Sequence, residues 1–211
     1  MIKNIILIFS LLFFSSCANK DKFGKSDEEW YKDLIKQIDY SNLDKADDVF
    51  SSLEVEHFRS PLLESATQIM IQAHMKQENY LLANYYIDKY EQRFGTPKNM
   101  DYLEYLRIKS RYLAFRNPKR DQKLILQTLD MVENYISNYS DSKYLPYIKT
   151  MQTNLTLSRF YLTLDIIKLY ERLDKPKAVE YYKNKDEMAW FIENRDDFEK
   201  PSLFFLRYLF E

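Results

Sequence analysis

The chain has 211 residues, of which 45% are hydrophobic and 30% charged, and its formal net charge is −1 because 31 basic residues face 32 acidic ones. The two signs are interspersed, so no basic surface for a nucleic acid is predicted. Two glycines and six prolines leave few sites for tight hairpin turns, whereas 18 tyrosines and 14 phenylalanines supply large rings for packing. This composition favours helices and excludes a glycine-rich phosphate loop.

The first predicted element is an N-terminal export signal. Lys3 precedes an apolar run over residues 5–14, which is shorter than the roughly 20 residues that a membrane-spanning helix needs. Ser15, Ser16 and then Cys17 follow, and Cys17 is the single cysteine of the chain. The segment resembles a bacterial lipoprotein signal, which implies cleavage after residue 16 and a covalent lipid on Cys17. A plain signal peptide cut elsewhere and a buried free thiol remain the alternatives.

The rest of the chain divides into three predicted segments. After the signal peptide at 1–16, residues 17–26 are polar and form a flexible tether, and residues 27–194 hold helical repeats. Residues 195–211 contain a polar break followed by an apolar helix that would cap the domain or contact a partner. An aspartate directly after the lipidated cysteine would resemble an inner-membrane retention signal, but this chain has Ala18 at that position. We therefore expect the protein to lie at the periplasmic face of the outer membrane.

Helical spacing recurs along residues 27–194 and indicates a repeat. In each copy a small residue, which lets two antiparallel helices cross closely, precedes apolar residues on the same face. The predicted repeat positions are Ala46, Phe50, Ala83, Ile87, Thr128, Val132, Ala178 and Tyr182. Helix pairs repeated about every 34 to 50 residues approximate the tetratricopeptide period, with long connections expected in the later copies. We therefore predict an all-α, tetratricopeptide-like α-solenoid of antiparallel helix pairs with about four to five repeats.

The second repeat and the turn after it carry the most specific motif, which runs from Ala73 through Tyr80 and Ala83 to the segment Asn99 to Tyr102. This stretch resembles the BamD (ComL) family, tetratricopeptide lipoproteins of the outer-membrane β-barrel assembly machinery. Two further turns resemble the same family in order, at residues 59–61 and 139–144. The chain departs from the family in its turns, where Phe58, Gly95 and Ser140 replace prolines and Glu78 replaces a glycine. We expect turn geometry to change there.

The resemblance implies a function in folding and inserting β-barrel proteins into the outer membrane, with no reaction catalysed. The implied partners are the periplasmic domains of the barrel insertase and unfolded barrel substrates. Aromatic rings in a groove would suit the aromatic C-terminal ends of barrel proteins. The candidate groove residues are Tyr31, Tyr85, Asn99, Asp101 and Tyr102. Asn99 or Asp101 would alternatively cap free amides at a helix start.

Catalytic chemistry is not predicted. His57 and His74 are 17 residues apart and have no cysteine nearby, so we expect no metal site, no catalytic residue and no cofactor besides the lipid on Cys17. Two other functions stay open at this point. One is another tetratricopeptide lipoprotein adaptor, for pilus secretin assembly or as a cell-envelope scaffold. The other is a cell-wall enzyme, which would need a catalytic cleft.

Overall fold

The computed structural model describes residues 23–115 and 122–194, and within these ranges it contains nine α-helices and no strand. Their bounds are α1 Asp27–Asp39, α2 Leu43–Glu56, α3 Leu62–Lys76, α4 Tyr80–Phe94, α5 Met100–Leu113, α6 Gln122–Asn138, α7 Leu145–Arg172, α8 Pro176–Lys183 and α9 Asp186–Asn194. The chain divides into two compact units, residues up to Ala66 and residues from Thr67 onward, and the boundary falls within α3.

In the first unit, α1 and α2 form an antiparallel pair. Ser26 begins α1 with a capping box, in which its hydroxyl accepts the Glu29 N–H and the Glu29 carboxylate accepts the Ser26 N–H. The Trp30 indole donates to Glu56 Oε2 at 2.9 Å, which joins the start of α1 to the end of α2. Gly24, within the predicted tether, donates its N–H to the same oxygen at 3.1 Å. Buried side chains between the two helices include Trp30, Leu34, Leu43, Ala46, Phe50 and Leu53.

In the second unit, consecutive helices from α3 to α8 are antiparallel neighbours. Gln68 on α3 donates to the Tyr90 hydroxyl on α4 at 2.9 Å. Asn84 near the start of α4 donates to Ser110 Oγ near the end of α5 at 2.8 Å. Helices α5, α6 and α7 share one hydrophobic core, which contains Ile108, Val132, Tyr135, Ile148 and Met151.

The second half of α7 packs against α8 and α9 instead. The Phe160 and Phe191 rings stack with their centroids 3.8 Å apart, and those of Tyr170 and Tyr182 stack at 5.6 Å. The predicted all-α, tetratricopeptide-like fold of antiparallel helix pairs is thus confirmed for the described part of the chain. The pairs are α1–α2, α3–α4, α5–α6 and α7–α8, and α9 follows them.

Three turns between paired helices share one backbone geometry. Ser41, Glu78 and Asp174 have φ angles of 56°, 61° and 50°. In each turn the N–H of the next residue donates to the carbonyl five residues earlier, which is the pattern of a Schellman motif. These bonds run from Asn42 to Gln37, from Asn79 to His74 and from Lys175 to Tyr170, at 2.9, 2.9 and 3.0 Å. The turn at Glu78 therefore has the same backbone geometry as the other two turns.

The predicted repeat positions lie in the core in three of the four copies. Ala46, Ala83 and Thr128 are completely buried, and Phe50, Ile87 and Val132 are at most 1% exposed. Ala178 and Tyr182 are half-buried on α8. The later repeats are longer because α6 and α7 have 17 and 28 residues, and only residues 139–144 connect them. For the interval between Thr128 and Ala178, helix length rather than a long connection therefore accounts for the larger period.

Several predicted segments lie outside the described residues. They are the signal peptide at 1–16, the lipid site Cys17, most of the tether and the C-terminal cap at 195–211. Among the helices that are described, none combines the length and the apolar character needed to cross a bilayer.

Candidate peptide-binding surface

Four tyrosines in the second unit come together at the starts of α5 and α7. This tyrosine cluster consists of Tyr102 and Tyr105 on α5, Tyr144 directly before α7, and Tyr147 in its first turn. The Tyr105 and Tyr144 rings stack at 4.7 Å with an interplanar angle of 10°. The Tyr102 ring lies 5.3 Å from Tyr144, and the Tyr147 ring lies 6.1 Å from Tyr105. These separations suit favourable ring contacts.

Sequence spacing and one partly buried chain of hydrogen bonds position the cluster. Residues three apart share a helix face, so Tyr102 and Tyr105 project from the same side of α5. Asp101 Oδ2 accepts the Ser142 hydroxyl at 2.8 Å, and Ser142 Oγ lies 2.8 Å from the Tyr135 hydroxyl. These bonds fix the start of α5 against the α6–α7 turn, which places its tyrosines beside those of α7.

The cluster presents an open aromatic surface with polar groups around it. Tyr147 is 59% exposed, while the other three rings are half-buried. Gln72 on α3 donates to the Tyr102 hydroxyl at 3.2 Å. The ammonium groups of Lys143 and Lys109 lie 5.0 Å from the Tyr144 ring centroid and 5.9 Å from that of Tyr105. Such a surface can stack an aromatic side chain and offer positive charge to a nearby carboxylate.

Two tyrosines of the cluster, Tyr102 and Tyr105, have a raised pKa. Burial raises the pKa of Tyr102, and the neighbouring Tyr144 raises it further. Burial likewise raises the pKa of Tyr105, with Tyr147 as the next cause. Because both shifts are upward, these hydroxyls stay protonated at neutral pH and can donate hydrogen bonds to a ligand.

The five predicted groove residues do not all lie at one site. Tyr102 is a member of the cluster, and Asp101 and Asn99 lie beside it in sequence. The Asn99 amide donates to the Phe94 carbonyl at 3.0 Å, and its Oδ1 accepts the Thr96 N–H at 2.7 Å. Asn99 thus closes the α4–α5 turn, and its side chain makes no cap bond to α5.

The two remaining predicted tyrosines lie elsewhere. Tyr85 on α4 is 52% exposed, with its ring edge against Tyr86. Asn84, the residue before Tyr85, donates a hydrogen bond to Ser110 on α5. Ser110 lies eight residues after Tyr102, or about 12 Å further along the axis of α5. Tyr31 is half-buried on α1 in the first unit.

Three cluster members, Tyr105, Tyr144 and Tyr147, were not among the predicted groove residues. Their signal in the sequence is the paired spacing of two tyrosines three residues apart, once at each helix start. In residues 23–115 and 122–194, no three His, Cys, Asp or Glu side chains form a group that could hold a metal ion.

Antiparallel helix pairs and repeated inter-helix turns define a tetratricopeptide-like class of helical-repeat protein. The family model of YfiO, described as an outer membrane lipoprotein, matches residues 24–184. The chain is also 38% identical over 172 residues to the outer membrane protein assembly factor BamD of Helicobacter pylori, covering 80% of this chain and 78% of that protein. The chain therefore belongs to the YfiO family of outer membrane lipoproteins, and the predicted membership of the BamD family is confirmed.

Proposed function

We propose that this chain acts in outer membrane protein assembly, helping to fold and insert β-barrel proteins as a subunit of the barrel assembly machinery. Membership of the family and the identity to BamD support this function. The proposed partners are the periplasmic domains of the barrel insertase and unfolded barrel substrates. A lipid on Cys17 would hold the domain at the periplasmic face of the outer membrane, where tethering raises its effective concentration near a membrane-bound partner.

The observation that carries the peptide-binding step is the exposed Tyr147 ring beside the Tyr105–Tyr144 stack. An aromatic side chain near the end of a barrel protein would pack on Tyr147, and the ammonium groups of Lys143 and Lys109 would attract its terminal carboxylate. Peptide binding needs no reacting group, so the proposed function is non-enzymatic.

The remaining residues of the site have positioning roles in this proposal. Asp101 fixes the cluster through Ser142, because its carboxylate accepts the hydroxyl that joins α5 to the α6–α7 turn. Asn99 orders the preceding turn. Tyr102 contributes its ring and its hydroxyl directly.

The experiment compares two tyrosines of equal exposure. Tyr147 and Tyr181 are both 59% exposed, but Tyr181 lies on α8, where Lys185 donates to its hydroxyl at 2.8 Å. We expect Tyr147→Ala to weaken binding of a peptide from a barrel C-terminus about fivefold, equivalent to about 1 kcal/mol of ring contact. Tyr181→Ala should leave the affinity unchanged, with fluorescence anisotropy as the measurement. Equal affinities for the two variants would rule the cluster out as the peptide site.

A second experiment tests the positioning residues and the partner. Replacing Asn99, Asp101 and Tyr102 together by alanine should reduce both peptide binding and barrel assembly in cells, and Asp101→Asn should retain more binding than Asp101→Ala because an amide oxygen still accepts from Ser142. Copurification in mild detergent should recover the barrel insertase as the main partner. Recovery of a secretin or a peptidoglycan-linked protein instead would favour a different adaptor function.

A further inference from the structure

Three large apolar side chains are exposed at one end of the α1–α2 pair in the first unit. Phe23, Val55 and Phe58 are 79%, 81% and 64% exposed. Phe23 comes shortly before α1, Val55 is in the last turn of α2, and Phe58 lies in the turn after that helix. Apolar residues that share one region of a surface mark contacts with proteins or membranes, whereas single scattered ones do not. We call these three residues the N-terminal apolar patch.

Hydrogen bonds hold together the two chain segments that carry this patch. The Gly24 N–H donates to Glu56 Oε2 at 3.1 Å. His57 Nε2 lies 2.7 Å from the Lys25 carbonyl oxygen. These contacts join the start of α1 to the end of α2. The patch residues adjoin the bonded ones in sequence, so they lie at the same end of the helix pair.

The patch is close in sequence to the predicted lipid site. Phe23 is six residues after Cys17, and six residues span at most roughly 20 Å of extended chain. A lipid on Cys17 would therefore keep the patch within that distance of the bilayer surface. Residues 18–22, which lie between them, are mostly polar and make a poor cover for three apolar side chains.

We propose that the N-terminal apolar patch inserts into the surface of the lipid bilayer, as a second membrane contact beside the anchor. Phenylalanine and aliphatic side chains in such contacts reach about 5 to 10 Å into the boundary between headgroups and acyl chains. The anchor raises the effective concentration of the patch at the membrane, so three side chains that bind weakly alone can stay inserted. Charge contributes little, because residues 20–28 carry three basic and three acidic side chains. The inference rests on the proposed lipid on Cys17.

The single cysteine allows the anchor to be supplied chemically. The mature chain, residues 17–211, would be coupled through the Cys17 thiol to a maleimide lipid in phosphatidylcholine vesicles, so the result does not depend on lipidation in the cell. Phe58→Trp adds an indole whose fluorescence is quenched by lipids with brominated acyl chains when it enters the bilayer. Tyr40→Trp is the matched control, because Tyr40 is 70% exposed and lies at the other end of the α1–α2 pair.

The fluorescence is compared with that of the parent protein, which has two native tryptophans. We expect brominated lipid to quench the indole added by Phe58→Trp and to leave the one added by Tyr40→Trp unchanged. High salt should not remove the quenching, because the contact is apolar. Equal quenching of the two added indoles, or none in either, would overturn the inference.

Further variants test whether the patch acts as a unit. Replacing Phe23 and Val55 by serine in the Phe58→Trp protein should move the equilibrium about tenfold toward the free patch, equivalent to about 1.4 kcal/mol, and reduce the quenching. Leu81→Ser, which removes an 85% exposed leucine of the second unit, should leave the quenching unchanged. Unchanged quenching after the two serine replacements would overturn the inference. A blue shift of the Phe58→Trp emission with rising protein concentration, without vesicles, would assign the patch to a second copy of the chain instead. Mass spectrometry that finds Cys17 unlipidated in protein purified from cells would refute the anchor itself.

Discussion

Glu78 is the residue at which a glycine should stabilise this protein. Its φ of 61° lies in the left-handed region, which costs an ordinary L-residue roughly 1 to 2 kcal/mol. Glycine avoids that cost but loses about 0.5 to 1 kcal/mol more conformational entropy on folding. Glu78→Gly should therefore be about 0.5 to 1 kcal/mol more stable than Glu78→Ala, which keeps the strained backbone and removes the same side chain.

Glu133 supplies the matched control, because it is also an exposed glutamate but lies inside α6. There, glycine should be about 1 kcal/mol less stable than alanine, as it is in helix interiors generally. The Gly–Ala difference should thus change sign between the two positions. Thermal and urea unfolding followed by circular dichroism would measure both pairs, and for a chain of this size 1 kcal/mol corresponds to a shift in Tm of about 2 to 4 °C.

The reasoning would be refuted if glycine were less stable than alanine at both positions. That result would mean that the Schellman bond from Asn79 to the His74 carbonyl does not hold residue 78 at positive φ in solution. Asp174→Gly should give a smaller gain than Glu78→Gly, because aspartate tolerates the left-handed region better than glutamate does.

Four further perturbations have defined outcomes. Gly95→Ala should lower the free energy of unfolding by about 1 to 3 kcal/mol in urea titrations, because an added Cβ would collide with the Glu91 carbonyl oxygen. Cys17→Ala should yield a folded protein that cell fractionation finds released from the membrane. Ala83→Leu should instead unfold at a lower Tm, because Ala83 is completely buried. The raised pKa of Tyr102 contributes stability that is present below its ordinary value of 10.0 and lost as pH rises through the folded value, so Tyr102→Phe should reduce the alkaline loss of stability. If the free energy of unfolding fell equally with rising pH in the parent protein and in Tyr102→Phe, the alkaline loss of stability could not be assigned to Tyr102.

The sequence predicted the repeated core because the core depends on local spacing. Ala46 and Ala83 are small residues followed by apolar ones at helical intervals, and both are fully buried where helices cross. The tyrosine cluster could not be predicted in the same way, because it depends on Asp101 reaching Ser142 across 41 positions of sequence. The sequence predicts only Tyr102 of the cluster, and it does so through the resemblance to a family motif rather than through spacing.

Glu78 illustrates a different limit of sequence reasoning. Replacement of a turn glycine by glutamate suggested a changed turn, since a bulky residue disfavours positive φ. The turn at Glu78 has the same backbone geometry as the turns at Ser41 and Asp174, and Glu78 itself bears the strain of a positive φ. Two adjoining helices fix the ends of this short connection, so the backbone of residue 78 follows from their packing.

Helix α7 shows how the buried face of one long helix can change along its length. Its first half buries Ile148 and Met151 against α5 and α6, whereas its second half packs Phe160 against α9. Counted at about 100° per residue, the buried face turns by roughly a third of a revolution between the two halves. No single apolar stripe can describe such a helix, so periodicity alone detected only part of it.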